Sequence, residues 1–228
     1  MVNAVWLIPA FPLAGFLIML LFGRKLGEPR SGYLATTMVA AAFAVTVGVF
    51  FDLLSKSAEE RRHVSTLFSW VPVGSLQVDL AFLADPLSIT MCLFVTGIGT
   101  LIHLYSVGYM HGDPRFSKFF LYLNLFAFSM LMLVLGENLL VTFLGWEGVG
   151  TCSYLLISFW HERESAATAG KKAFVTNRVG DWGVMIAMFL AFQAVGTLSY
   201  SGINSAAESG ALAQSTATAI AVMLFIGA

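Results

Sequence analysis

The amino-acid sequence predicts an all-α fold: a polytopic membrane helical bundle with six complete transmembrane helices and a truncated seventh, plus a small surface β-hairpin between helices two and three. Three observations predict it. Of 228 residues, 58% are hydrophobic and 11% charged, and the mean hydropathy is +0.82, far outside the soluble range. The apolar residues gather in runs of roughly 20, enough helix to cross a hydrocarbon core about 30 Å thick. Most charges fall in the short connections between those runs. The net charge of −1 leaves no footprint for nucleic acid. Cys92 and Cys152 both lie inside apolar runs and read as small core residues, with neither a disulfide framework nor metal-ligand spacing.

Taken in order, residues 1–228 read as a single transmembrane domain. The first span lies near residues 5–22. Arg24 and Lys25 follow it and no basic region precedes it, so it is a span and not a cleavable signal. The second lies near 33–54. The connection 55–84 starts with the mixed-charge stretch Lys56 to His63. It then carries Leu67–Val71, the turn Pro72-Val73-Gly74-Ser75 and the alternating Leu76-Gln77-Val78-Asp79-Leu80, which together suggest the hairpin. Asp85-Pro86 is an N-cap followed by proline at the first helical position, opening the third span, 86–109, which contains His103. The fourth span, 119–135, meets the fifth, 138–160, across only Gly136-Glu137-Asn138, so these two should be antiparallel neighbours. The sixth lies near 172–195. After the polar loop Gly196–Ser209, a seventh run near 211–228 is incomplete.

Two stretches carry chemistry. From Asn138 to Trp160 the only ionisable carboxylate or base is Glu147, in Leu144-Gly145-Trp146-Glu147-Gly148-Val149-Gly150. It stands roughly 14 Å into the run, near the midplane, where a charge costs about 2.5–3.5 kcal/mol. It should therefore face other helices or water. Gly145, Gly148 and Gly150 leave room beside it for close packing, a water or a basic partner. The plainer alternative is a polar residue hydrogen-bonded within the bundle. In the sixth span the uncharged part, Trp182 to Val195, is only roughly 21 Å long, so the helix must extend back through Asp181, Arg178 and Lys172. Arg178 and Asp181, three apart, share a face and can pair; an interfacial ion pair that only anchors the helix is the alternative. Lys172 is a candidate second base, although snorkelling to the surface is the plainer reading of Lys171 and Lys172.

Connections after spans one, three and five hold Arg24, Lys25, Arg30, Arg115, Lys118, Arg163, Lys171 and Lys172, against Lys56, Arg61 and Arg62 on the other side. The positive-inside rule then puts the N-terminus outside. A bacterial plasma membrane is the expected location, with an organellar membrane as the alternative.

His103-Leu104-Tyr105-Ser106-Val107-Gly108-Tyr109-Met110 resembles the third-span motif of the antiporter-like subunit L (chain 5 type) family of respiratory complex I, NADH:quinone oxidoreductase. So do the block around Glu147 with Cys152-Ser153-Tyr154-Leu155-Leu156-Ile157, and Lys172-Ala173-Phe174 followed by Arg178-Val179-Gly180-Asp181. The resemblance runs over essentially the whole chain, as its N-terminal portion. It implies that Glu147 takes part in proton translocation, that Arg178 and Asp181 form a modulating ion pair, and that a partner lysine lies in the seventh span just past Ala228. His103 falls in a matching motif without an implied proton-carrying role. The resemblance also implies no cofactor in this chain, with NADH, FMN, iron–sulfur clusters and quinone in other subunits. The partners it implies are other complex I membrane subunits, the bilayer and protons. No Gly-rich dinucleotide loop follows a strand, and no cysteine set suits a cluster.

Physically, low dielectric disfavours a charged carboxyl and a nearby cation restores it, so alternating those surroundings loads and releases a proton. Two other classes stay open: the large antiporter subunit of a multisubunit Na⁺/H⁺ exchanger, which shares much of the Glu147 block, and a structural membrane subunit without transport. The short seventh run leads to a first expectation. The natural polypeptide continues past Ala228 and places a lysine within about one or two helical turns, giving Glu147 a midplane counter-charge. Sequencing the intact gene product checks this; a native stop at Ala228 refutes it.

Overall fold

The computed structural model describes residues 1–74 and 76–228. Its long apolar runs are helices because only a helix satisfies every backbone N–H and C=O without water. They are α1 (Leu7–Leu26), α2 (Arg30–Leu54), α3 (Pro86–Tyr109), α4 (Phe116–Leu135), α5 (Leu139–Ile157) and α6 (Glu164–Val195), all six long and apolar enough to cross a membrane. Two shorter helices follow, α7 (Tyr200–Glu208) and α8 (Gln214–Gly227). Between α2 and α3 lies the expected antiparallel hairpin, β1 (His63–Val73) and β2 (Leu76–Ala84). Ser75, at its turn, lies outside the described residues.

Local chemistry sets the starts. The Asp85 carboxylate accepts from the Ser88 N–H at 2.7 Å, and the Asp85 N–H donates to Ser88 Oγ at 2.9 Å, a reciprocal cap that opens α3. Asn138 caps α5 by accepting from the Val141 N–H at 2.9 Å. Inside the helices, hydroxyls return to the carbonyl four residues back, as in Thr36 to Gly32, Thr46 to Ala42 and Thr96 to Cys92. The outer faces carry large apolar side chains such as Leu21, Phe51, Tyr105 and Phe189. Polar groups are closed inward and greasy ones turned out, as a lipid solvent requires.

Two elements depart from the sequence-based expectation. The sixth helix begins at Glu164, well before residue 172, since nothing in Glu164–Gly170 breaks a helix. Its 32 residues reach about 48 Å, so its first turns extend beyond a ~30 Å core. The stretch Gly196–Ser209, expected as a polar loop, contains α7. Gly196, at φ +77°, ends α6. Tyr200, Ile203 and Ala206 then recur on one face and pack on the cluster formed by Ala187, Met188, Ala191 and Ile220. Tertiary burial holds a helix that composition alone does not announce.

The connection between α4 and α5 is pinned from two sides. The Glu137 N–H donates to Ala81 O at 3.1 Å and Asn138 Nδ2 to Asp79 O at 2.9 Å, both on β2. From the other side, the Leu139 N–H donates to Leu198 O at 3.0 Å, the Tyr200 N–H to Glu137 O at 3.2 Å, and Ser199 Oγ to Glu137 Oε1 at 2.6 Å. Phe82 of β2 is buried with Ile8, Leu53, Ile89 and Leu135, so the hairpin closes one end of the bundle. At the opposite end, Met19, Met110, Phe116, Phe120 and Phe159 form a second apolar plug.

The helices α4 and α5 are antiparallel neighbours and very close. A Cβ added at Gly145 would strike the Leu133 backbone, 2.6 Å from its Cα, and one at Gly148 would stand 2.7 Å from Ser129 Cβ. Gly145→Ala therefore forces the pair apart and should destabilise the purified chain by about 1–3 kcal/mol, read as a lowered Tm. Gly150→Ala is the control. Its Cβ would meet only Asn177 Nδ2, at 3.8 Å, and its effect should stay within about 0.5 kcal/mol.

Candidate functional site

The close packing of α5 on α4 fixes the depth of Glu147, about 12 Å from the start of α5, while α6 brings Arg178 and Asp181 alongside. Their side chains meet. Arg178 Nη1 forms an ion pair with Glu147 Oε2 and stands 3.4 Å from Asp181 Oδ2. The spacing of three that suggested the Arg178–Asp181 pair corresponds to a real proximity, and Glu147 on the neighbouring helix is the closer partner. Burial rises from Arg178 (40% exposed) through Glu147 (25%) to Asp181 (5%). The guanidinium thus bridges a buried carboxylate and a half-buried one.

Two residues join that sequence reasoning had not assigned. Trp146 Nε1–H donates to Asp181 Oδ1 at 2.8 Å, so both Asp181 oxygens are engaged. The Arg178 guanidinium lies 4.5 Å above the Phe174 ring. Phe174 precedes Arg178 by four residues, so helical spacing alone would have found it. Trp146 gave no such signal, because its partner is on another helix. Beside the cluster opens a cavity of about 850 Å³ bordered by Met130, Leu133, Trp146, Asn177 and Gly180. Its wall is largely apolar, and none of Glu147, Arg178 and Asp181 lines it.

Other candidates stand apart. Lys172 is exposed, roughly 9 Å along α6 from Arg178, and makes no ion pair or hydrogen bond among the described residues. His103 is buried on α3. Its Nδ1 lies 2.7 Å from Gly99 O, its ring faces Phe120 of α4, and its Nε2 has no partner among the described residues. Cys92 and Cys152 are buried free thiols. Among the described residues no three His, Cys, Asp or Glu side chains come together as a metal site.

With both carboxylates ionised, the Glu147–Arg178–Asp181 cluster carries a charge of −1, and one bound proton makes it neutral. Arg178 touches both carboxylates through the same nitrogen, so a small rotation shifts its weight from one to the other. The arrangement has room in its charge balance for one proton.

Residues 70–120 match the family model described as NADH-Ubiquinone oxidoreductase (complex I), chain 5 N-terminus, and residues 136–228 match NADH:quinone oxidoreductase/Mrp antiporter, TM. The chain is similar to NADH-quinone oxidoreductase subunit L of Mycobacterium tuberculosis, 47% identical over 226 residues that cover 99% of this chain and 35% of that protein. It therefore spans about a third of the length of the curated relatives it matches. Two solved structures share its fold. A chain of the membrane-bound sulfane sulfur reductase, an archaeal respiratory membrane complex, aligns with TM-score 0.83 at 14% identity, covering 99% of this chain and 44% of that one. A chain of the Mrp complex from Dietzia sp. DQ12-45-1b aligns with TM-score 0.80 at 23% identity, covering 98% and 23%.

Trp146→Phe tests the indole bond. It keeps an aromatic ring but removes the N–H, leaving Asp181 Oδ1 without its donor. The expected loss is about 1.5–3 kcal/mol, measured by thermal unfolding of the purified chain. In an Asp181→Asn background the same substitution should cost markedly less, because the two act on one contact.

Proposed function

The chain belongs to the antiporter-like subunit L (chain 5) family of NADH:quinone oxidoreductase, and on that premise we propose that it helps move protons across the membrane as electrons pass from NADH to quinone. The observation that carries this reading is the Arg178 guanidinium shared by Glu147 of α5 and Asp181 of α6. Glu147 is the proton-transfer carboxylate. Arg178 and Asp181 are the modulating pair, and Lys172 is the candidate second base toward the α6 N-terminus.

The proposed step follows from charge balance. When Arg178 leans on Glu147, that carboxylate is neutralised by the cation and gives up its proton. When Arg178 leans on Asp181, Glu147 loses its counter-charge, and uptake of a proton neutralises it instead. Trp146 holds Asp181 in place to receive the guanidinium. In this reading NADH, FMN, iron–sulfur clusters and quinone are held by other subunits, and this chain contributes a proton site to a membrane assembly.

The chain is a membrane protein, and its charge asymmetry supports an orientation. The α1–α2, α3–α4 and α5–α6 connections with the first turns of α6 hold eight bases against four acids, whereas the opposite end holds three bases against seven acids. By the positive-inside rule this supports an N-terminus outside, and the likeness to a Mycobacterium tuberculosis subunit favours a bacterial plasma membrane over an organellar one.

Glu147→Gln keeps size and hydrogen-bonding shape, so subunit abundance in the purified complex should stay normal while NADH-driven proton transfer falls about a hundredfold. Arg178→Ala strands two carboxylates and should lower abundance, at a cost of about 3–5 kcal/mol. Adding Asp181→Asn to Arg178→Ala removes one stranded charge and should recover part of the abundance. Normal pumping by Glu147→Gln refutes the assignment. The assay in Na⁺-free buffer also separates the redox-linked pump from a Na⁺/H⁺ exchanger, which would need Na⁺ and ignore NADH.

A further inference from the structure

The basic end of the bundle contains a cavity that the proton site does not use. It lies between the C-terminal end of α1 and the N-terminal end of α4, with a volume of about 410 Å³. Arg24 and Lys118, one from each helix, stand at its mouth with the Ser117 hydroxyl, and Leu20, Leu21 and Leu121 form its wall. The helices meet just beneath, where a Cβ on Gly23 would stand 3.6 Å from Ser117 Cβ. Cations from two helices therefore address one opening.

Neither cation has an acidic partner among the described residues. Three of the four acids at this end are already engaged, and the fourth, Glu164, forms no ion pair with either cation. Glu28 receives His111 and the Gly112 N–H. Asp113 receives the Trp160 indole and the Arg115 N–H, and Glu162 is held by both terminal nitrogens of Arg115. Lys118 has only the Tyr122 ring, 5.6 Å away. Two unanswered positive charges at a cavity call for an anion. The wall says what kind: Leu20 and Leu21 are 56% and 70% exposed and continue onto the outer apolar face of α1. A free inorganic anion has no use for that surface, whereas a molecule with an acidic head and acyl tails matches both halves.

We propose that this cavity is a binding site for the headgroup of an anionic phospholipid, with its phosphate between Arg24 and Lys118 and its acyl chains along Leu20, Leu21 and Leu121. The site lies where α1 and α4 end, at the level of the headgroups for helices of spanning length. The lipid neutralises charges that the protein leaves open and wedges α1 against α4.

The test is a lipid titration of the delipidated full-length chain in detergent, read by native mass spectrometry. The probes are phosphatidylglycerol, phosphatidylcholine and inorganic phosphate. Phosphatidylglycerol should bind more tightly than phosphatidylcholine. Arg24→Gln with Lys118→Gln should weaken phosphatidylglycerol about thirtyfold, from roughly fivefold per cation, and leave phosphatidylcholine unchanged. The charge-conserving Arg24→Lys with Lys118→Arg should keep most of the affinity, and Lys56→Gln at the opposite end should have no effect. Equal binding of the two lipids by the natural chain overturns the proposal, as does unchanged phosphatidylglycerol binding by the neutralised variant. Displacement of phosphatidylglycerol by an equal concentration of inorganic phosphate also overturns it, in favour of a free-anion site. Should the neutralised variant fail to fold, the natural chain alone still decides. Raising ionic strength from about 0.1 M to about 1 M shortens the Debye length from ~10 Å to ~3 Å and should weaken phosphatidylglycerol selectively; salt-independent binding refutes the site.

Discussion

The Arg178 guanidinium, held between Glu147 of α5 and Asp181 of α6, is the contact on which the centre of the molecule depends. Charges among apolar helices are tolerated only when they answer one another, because hydrocarbon offers no solvation. That requirement ties α5 to α6 at a defined depth and rotation. It also explains the partners around the triad: a tryptophan N–H for the second Asp181 oxygen, and an aromatic face for the back of the guanidinium. Removing Arg178 strands both carboxylates in a medium that cannot compensate them.

The triad can form only because the neighbouring helices are placed with little freedom. Gly145 and Gly148 let α5 lie almost backbone to backbone on α4, and Gly180 and Gly183 do the same for α8 on α6, where added Cβ atoms would stand 2.8 Å from Gly227 O and 2.7 Å from Met223 O. At the hairpin end, backbone and side-chain bonds from β2 and from the α6–α7 connection grip Glu137 and Asn138. The start of α5 is thereby anchored, and Glu147 lies about two turns further in. A hairpin that touches no charged triad residue thus contributes to the position of all three.

The two ends of the bundle differ electrically, and that difference has local consequences. The hairpin end is rich in acids, while the opposite end carries bases, among them Arg115, which is paired with Glu162. Glu162 is exposed, yet its two bonds from Arg115 hold its carboxyl below the usual range. Arg24 and Lys118 lack such partners and face a cavity with an apolar wall, which makes them available to the bilayer itself.

Sequence by itself determined the membrane class, the long spans, the hairpin between α2 and α3, and the isolation of Glu147, because each follows from hydropathy, length or alternation within one segment. It also put Arg178 and Asp181 on one face, since a spacing of three is a local property of a helix. Only the tertiary structure decided that Glu147 is the nearer partner of Arg178, that Trp146 secures Asp181, and that α7 interrupts the polar stretch after α6. These rest on side chains from different helices meeting, and helical periodicity reports the face on which a residue lies without naming what that face will touch. The early start of α6 at Glu164 belongs to the same class. Hydropathy marks where a helix must be apolar, whereas its true end lies where the chain finds its next partner beyond the lipid.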